Sequence, residues 1–186
     1  MQDYTLRMIT LETARLVLRP WRPEDFEPFA AMMADREVRT FLSASGAPLS
    51  RFEAWRALCA MIGHWALRGY GLFAVVERES AELVGRIGPW FPEGWPDFEV
   101  GWTLRRQSWG KGYATEAGHA CLQYVFTELD RSSIISLIAP GNTRSIRVAE
   151  RLGEHLECRT TLPHLPPDQM VLQYRLSRDD WRRFTQ

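Results

Sequence analysis

The sequence has almost no lysine, few cysteines and no net charge. Its basic residues are nearly all arginine, which indicates a GC-rich genome more than a binding surface. The 23 basic and 23 acidic residues give a formal net charge of +0. This balance does not indicate attraction to nucleic acid or to an anionic membrane, so neither is expected as a partner.

The three cysteines are far apart and form no CxxC pair. Cys59, Cys121 and Cys158 are therefore not expected to bind zinc or to form disulfides, and no metal is expected. Each is interpreted as a small core residue.

Long apolar runs are also absent. No segment reaches the ~20 apolar residues of a membrane span, and the first residues contain no run of signal-peptide length. We therefore expect a soluble, cytoplasmic protein. With 186 residues and 45% hydrophobic residues, the chain fits one domain covering residues 1–186.

Helical periodicity accounts for much of the first third of the chain. A half-buried strand is predicted at 15–20, and Pro23 followed by two acids favours a helix start. A second helix is predicted from Arg51 to Gly69. The residues predicted to share its apolar face are Trp55, Leu58, Ile62 and Trp65.

Strand patterns dominate the middle of the chain. Residues 72–77 and 82–88 read as a hairpin, and 98–104 as a further strand in which Gly101 marks a bulge or a close approach by a ligand. Beyond it come a helix near 113–126, a strand at 133–139, a helix capped by Asn142, two strands and a short last helix. The order β α α β β β α β α β β predicts an α/β sandwich around a mixed sheet.

Residues 107–115, QSWGKGYAT, place two glycines between a strand and a helix. Free amides at a helix start are suited to binding phosphate. A P-loop is excluded because Arg105 replaces its first glycine and Gly112 its hydroxyl residue, and a Rossmann fingerprint fails at Thr115. A tight structural turn remains the alternative.

The loop does match Q/R-x-x-G-x-G/A, the pyrophosphate signature of the GNAT superfamily of N-acetyltransferases, through Gln107, Gly110 and Gly112. With EVGWTL before it, PGNTRSIRVAERLG after it and RLVLRPWRPEDFEPF at the start, the chain resembles the branch that acetylates ribosomal-protein N-termini, from about Leu11 to Trp181. The resemblance implies the GNAT fold, α/β (α+β). Its central sheet is mixed, mostly antiparallel and twisted, with about seven strands flanked by helices, and it is splayed at the acetyl-CoA site.

The resemblance implies direct transfer of acetyl from acetyl-CoA to a primary amine, in a protein N-terminus or a small molecule. The alternative is a non-catalytic acyl-CoA-binding or regulatory module with the same fold. A nucleotide-binding protein is disfavoured by the failed motifs. Dimers are common among such enzymes, which leaves a homodimer open.

Residues that bind acetyl-CoA are assigned by this resemblance to the strand, the glycine loop and the following turn. They are Trp102, Thr103, Leu104, Gln107, Ser108, Trp109, Gly110, Lys111, Gly112, Tyr113, Ala114, Thr115 and Asn142. Lys111 with Arg105 and Arg106 either neutralises phosphate or forms an ordinary solvated cluster.

The resemblance places Glu99 at an acidic position proposed as the general base, although it could be an outward-facing strand residue. Many GNAT enzymes carry a tyrosine that protonates the leaving thiolate, but here that position is Ala149. Ser145 is the candidate for contacting the sulfur, or it is a small packing residue. Glu154 stands where the family has phenylalanine.

The acceptor amine is expected to enter opposite CoA, between aromatic residues that could equally be packing residues. Those named for its walls are Trp21, Trp65, Tyr70, Trp90, Phe91, Trp95 and His164. Glu93 and Asp97 near the mouth would favour a cationic amine.

Overall fold

The computed structural model describes residues 9–43, 45–162, 165–166 and 169–185. The helices are α1 Phe26–Ala34, α2 Arg36–Arg39, α3 Arg51–Arg68, α4 Tyr113–Thr127, α5 Thr143–Arg151 and α6 Arg178–Thr185. The strands are β1 Leu11–Glu12, β2 Leu16–Arg19, β3 Phe73–Glu77, β4 Leu83–Trp90, β5 Glu99–Leu104, β6 Ser133–Ile138, β7 His155–Thr161 and β8 Met170–Ser177.

All eight strands form one sheet in the order β1-β2-β3-β4-β5-β6-β8-β7. Every neighbouring pair is antiparallel except β5 and β6, which are parallel. The predicted mixed, mostly antiparallel sheet is confirmed. The eighth strand is the two-residue β1, which pairs with β2 and is too short to give a periodic signal.

The sheet splays between β5 and β6. Their one ladder pair is Glu99 with Ile135, and the Ile135 amide donates to the Phe98 carbonyl at 2.9 Å. The ladder between β4 and β5, both fully described, runs through Gly101 without a register shift, so the predicted bulge is absent on that side, while a close approach by a ligand stays a prediction. The irregular edge of β5 is therefore the one that faces β6.

The two faces of the sheet are covered by different helices, as the alternation along β3 shows. Phe73 and Val75 belong to the core beneath α4, whereas Ala74 and Val76 belong to the core beneath α1 and α3. Strand residues of alternate parity point to opposite faces. β3 is therefore buried on both faces of the sheet.

Two packing predictions from the sequence are wrong in part, although Leu58, Trp65 and Cys121 are buried as expected. The buried stripe of α3 runs through Ala54, Leu58, Met61 and Trp65, while Trp55 and Ile62 are 51% and 41% exposed. Both stripes fit a period of 3.6 residues, so the pattern alone did not distinguish them. Of the three cysteines only Cys121 is buried; Cys59 lies on the outer side of α3 and Cys158 on the edge strand β7, and both are exposed.

Candidate functional site

The glycine loop is a left-handed turn that ends in a row of free amides. Gly110 and Gly112 have φ of +76° and +81°, a region that disfavours residues with a Cβ. The backbone amides of residues 110 to 115 donate to no described residue, and no side chain caps α4. The two glycines therefore form a tight turn, and the turn also presents consecutive N–H groups at a helix N-terminus, where an anion is stabilised.

These amides open onto a cavity of about 650 Å³ between β5, α4 and α5. Most of the residues predicted to bind acetyl-CoA line it: Trp102, Thr103, Leu104, Ser108, Trp109, Gly110, Gly112, Tyr113, Ala114, Thr115 and Asn142. Gln107 and Lys111 do not line this cavity; both are exposed, and the Lys111 ammonium lies 5.7 Å from the centre of the Tyr113 ring.

The cations beside this cavity differ from those expected. Arg105 forms an ion pair with Glu82, and Arg106 lies 3.4 Å from Asp35. The arginines that line the cavity come from α5: Arg144, Arg147 and Arg151. The Arg144 guanidinium stacks 4.3 Å from the centre of the Trp109 ring.

None of the three α5 arginines forms an ion pair with a described residue. Sequence reasoning missed them, although their spacing of three and four residues places them on one face of a helix. Free guanidinium groups beside an amide-lined cavity are suited to phosphate.

A second cavity of about 340 Å³ lies at the splay between β5 and β6 and extends over β4. Glu99 and Arg86 lie in its wall, with Trp90 and Trp95. The two cavities meet, because six residues line both: Phe41, Leu42, Trp102, Thr103, Asn142 and Ser145. A group held in one cavity can therefore reach a group held in the other.

Glu99 has the environment of a general base. Its carboxylate accepts a hydrogen bond of 2.7 Å from the Trp95 indole N–H. Burial raises the pKa of Glu99 to about 7, while Trp95, the Leu137 backbone and the Arg86 charge oppose the rise. A carboxylate with this pKa is ionised in part at neutral pH and is a stronger base than an ordinary glutamate.

Glu154 lies beneath the splay and is only 4% exposed. Burial raises its pKa to about 8, and the nearby Glu99 charge adds to the rise. Its Oε1 lies 3.1 Å from the Ser136 hydroxyl, which also contacts the Val100 carbonyl, while Oε2 has no partner among the described residues. The phenylalanine of the family is thus replaced here by a buried acid that is protonated at neutral pH.

Ser145 and Asn142 are held by α5. The Asn142 Oδ1 accepts from the Ser145 amide at 3.2 Å, which confirms the predicted helix cap. The Ser145 hydroxyl accepts from the Trp102 indole N–H at 3.3 Å, so its own proton stays available to a ligand. Ala149, at the usual tyrosine position, is fully buried.

The aromatic residues predicted for the acceptor walls separate into two groups. Trp90 and Trp95 line the smaller cavity. Trp21, Trp65 and Tyr70 are buried in the two cores and Phe91 packs against one of them, while His164 lies outside the described residues.

The two acids predicted to charge the cavity mouth both contact arginines. Asp97 lies 2.9 Å from Arg175, and Glu93 lies 3.6 Å from Arg68. Neither acid adds an unpaired negative charge at the mouth, so the prediction of a cation-attracting entrance loses its basis.

In the described ranges of the chain, no helix combines the length and apolar character needed to cross a bilayer. The same residues contain no group of three or more side chains placed to bind a metal ion.

Comparison with known proteins places this geometry in a family. Residues 15–155 match the model of the acetyltransferase (GNAT) domain. An uncharacterized N-acetyltransferase, p20, from Bacillus licheniformis is 31% identical over 148 residues, which cover 78% of this chain and 82% of p20. The match with the uncharacterized Bacillus subtilis protein YkkB is 41% identical over 92 residues and spans 54% of that protein, about half its length.

Solved structures agree with the fold. An acetyltransferase from Agrobacterium tumefaciens superposes with a TM-score of 0.78 at 32% identity, over 91% of this chain and 95% of that one. A ribosomal-protein-S5-alanine acetyltransferase from Vibrio fischeri has a TM-score of 0.72 at 19% identity, over 93% and 98%. The second similarity is one of fold.

Proposed function

Because the chain belongs to the GNAT family of acetyltransferases, we propose that it transfers acetyl from acetyl-CoA directly to a primary amine within a ternary complex. The observation that carries the proposal is the meeting of two cavities at Trp102 and Ser145. One cavity carries the row of free amides, and the other carries Glu99. Donor and acceptor can therefore bind at once, on opposite sides of the splay.

The larger cavity fits the donor. Its free amides and the N-terminus of α4 would hold the pyrophosphate, and the α5 arginines would neutralise phosphate charge. On the side that faces β6, β5 beyond Glu99 pairs with no described strand, so the pantetheine arm could lie along it as an added strand. A backbone amide of this edge would then polarise the thioester carbonyl.

Glu99 is the proposed base. The acceptor would attack the thioester carbonyl as a neutral amine, and Glu99 would accept, directly or through a water molecule, the proton that the nitrogen loses once it is bonded to carbon. As the new C–N bond forms, the C–S bond breaks and the electron pair leaves with sulfur as thiolate. The Ser145 hydroxyl would donate a hydrogen bond to this thiolate, since its oxygen already accepts from Trp102.

The finer assignments are part of the same proposal. The acceptor is an amine of a protein N-terminus or of a small molecule, the enzyme acts in the cytoplasm without nucleic acid or membrane, and residues 1–186 form a single domain. Homodimerisation is compatible with this chemistry, because all of the proposed groups come from one chain.

The test measures thiol release from acetyl-CoA in the presence of a panel of peptides and small amines, with mass spectrometry of the products. Acetylated product with stoichiometric CoA release is the expected result. Failure to bind CoA would contradict the proposal outright. CoA binding without turnover on any amine would instead favour the non-catalytic module.

A further inference from the structure

The smaller cavity, in which the acceptor would bind, contains a guanidinium group without an anionic partner among the described residues. Arg86 lines this cavity, and no described carboxylate lies within ion-pair distance of it. Its hydrogen bonds to described residues go to neutral groups: 3.4 Å to the Thr103 hydroxyl and 3.3 Å to the Met61 sulfur, a weak acceptor. A guanidinium has five N–H donors, so most of them remain available.

Arg86 keeps its charge at neutral pH. Burial and the neighbouring Arg39 charge lower the pKa of Arg86 only to about 10. Arg39 is itself buried, and its Nε donates to the Ala47 carbonyl rather than to a carboxylate. A partly buried cation that lacks a counter-ion costs free energy, which an incoming anion would offset.

Strand register sets Arg86 and Glu99 on one face of the sheet. Arg86 is paired with Thr103, and Thr103 lies four residues from Glu99 on β5, so all three side chains leave the same face. Four residues of strand correspond to about 13 Å between Cα atoms. The Glu99 side chain leans toward Thr103, since a Cβ at Gly101 would lie 3.4 Å from its Oε1.

The cavity therefore presents opposite charges that are held apart. Glu99 and Arg86 do not form an ion pair, yet they are close enough for each to influence the pKa of the other. Gly101 leaves the strand surface between them without a side chain, and Trp90 and Trp95 form part of the cavity wall. This is a complementary surface for a zwitterion whose amine faces Glu99 and whose anion faces Arg86.

Building on the function proposed above, we propose that the acceptor is a small amine that also carries a carboxylate, an amino acid or a close relative, and that Arg86 binds its carboxylate. A cavity of about 340 Å³ is in the range that encloses such molecules. In this arrangement Arg86 determines specificity and takes no part in proton transfer.

Matched acceptors provide the test. Initial rates are measured for the proteinogenic amino acids, β-alanine and γ-aminobutyrate, and each is compared with its own carboxamide. Because the pKa of the amine differs between acid and amide, each rate is divided by the concentration of the neutral amine. Binding of the corresponding N-acetylated acids and amides to the protein with CoA is measured by calorimetry. At least one acid should exceed its amide about 10- to 100-fold in kcat/KM or in affinity, the range of a hydrogen bond to a charged group.

Variants test whether Arg86 causes the preference for an acid over its amide. Arg86→Gln should abolish it by weakening the acid alone, Arg86→Lys should keep part of it, and the exposed Arg56→Gln should leave it unchanged. CoA affinity reports that each variant is folded. The proposal would be overturned if acid and amide gave the same rate and the same affinity in every pair. The same holds if neither member of any pair reacted or bound. The proposal would also be overturned if Arg86→Gln weakened the acid and its amide equally.

Those outcomes separate the two proposals. Acetylation of amines without any preference for the carboxylate overturns only the assignment of Arg86. Binding of carboxylates through Arg86 without turnover on any amine contradicts the acetyltransferase activity and keeps the carboxylate site. Preference for peptides with neutral N-terminal residues over every amino acid would show that the acceptor is a protein N-terminus.

Discussion

The Ser136 hydroxyl donates a hydrogen bond of 3.1 Å to Oε1 of Glu154 at the base of the splay. The Ser136 hydroxyl has one proton, and its shorter contact, 2.8 Å, is to the Val100 carbonyl, which can only accept. Val100 and Glu154 therefore share this one donor, and its hydrogen bond to Glu154 lowers the pKa of that carboxyl. Burial and the nearby Glu99 charge outweigh this contact and raise the pKa of Glu154 to about 8.

Replacing Glu154 by glutamine should stabilise the protein at alkaline pH. The folded pKa of Glu154 is about 8 and lies above that of the unfolded chain. Below pH 4.5 the carboxyl is protonated in both states. Between pH 4.5 and 8 the native protein alone holds the proton, so its stability falls as pH rises, by up to about 1.4 kcal/mol per pH unit.

Urea unfolding of the wild type and Glu154→Gln at several pH values checks this. The difference in the free energy of unfolding should grow in favour of the variant up to pH 8 and then stay constant. Glu157→Gln, on the exposed β7, serves as the control because its pKa is lowered rather than raised. A difference that does not change between pH 5.5 and 8.5 would show that Glu154 is ionised in the native state.

Glu99→Gln should lower kcat/KM by about 10²- to 10⁴-fold with little change in CoA affinity. In the wild type, log kcat/KM should fall with decreasing pH below about 7, as Glu99 becomes protonated. The variant should lose this limb and keep the limb that belongs to the acceptor amine. Glu128→Gln, exposed at the end of α4, is the matched control. An unchanged rate in Glu99→Gln would remove Glu99 as the base.

Ser145→Ala should lower kcat by about 10- to 100-fold, since a hydrogen bond to a developing charge is lost. KM for acetyl-CoA should change little, because the hydroxyl would act on the leaving thiolate more than on the bound thioester. Steady-state kinetics measure both constants, with the exposed Ser132→Ala as control. A rise in KM at constant kcat would instead indicate that Ser145 only shapes the cavity.

Gly112→Ala should weaken both the fold and donor binding. At φ +81° an alanine costs about 1–3 kcal/mol of backbone strain, which the loop would relieve by moving its amides. Gly63→Ala is the matched control, because a Cβ there meets nothing within 4 Å and the residue lies inside α3. Urea unfolding and titration with CoA give the two readouts; a Gly112→Ala protein with wild-type CoA affinity would argue against the amide cradle.

Arg144→Gln should raise KM for acetyl-CoA about threefold to tenfold, through loss of a cation that faces phosphate. Because Arg144 is exposed, added salt should reduce the difference between variant and wild type. Arg56→Gln removes a similar exposed arginine, stacked 5.9 Å from the Phe52 ring on α3, and should have no effect. If the difference in KM does not depend on salt, Arg144 acts by packing on Trp109 and not through its charge.

The glycine turn and most of the order of the elements could be predicted from the sequence, since both depend on local signals; the short β1 and α2 were missed. Gly110 and Gly112 have backbone angles that favour glycine, and Asn142 caps α5 through a contact three residues away. The apolar face of α3 was misplaced because two stripes fit its period. Burial depends on which stripe meets the sheet.

The sequence also did not predict which charged residues pair with each other. Arg105 pairs with Glu82 across 23 residues, and Asp97 with Arg175 across 78, so neither pair can be found from local spacing. Trp102 reaches Ser145 in the same way, across the mouth between the two cavities. Long-range contacts of this kind determine which charges remain free.

The sequence by itself determined the family, the glycine turn and the position of Glu99, because these lie in contiguous motifs whose conformation is set by neighbouring residues. Only the tertiary structure decided how those parts act together. It gave Glu99 a raised pKa through burial, protonated Glu154 beneath the splay and left Arg86 without a carboxylate partner among the described residues. Desolvation and unpaired charge depend on the surroundings in three dimensions, which no stretch of sequence contains.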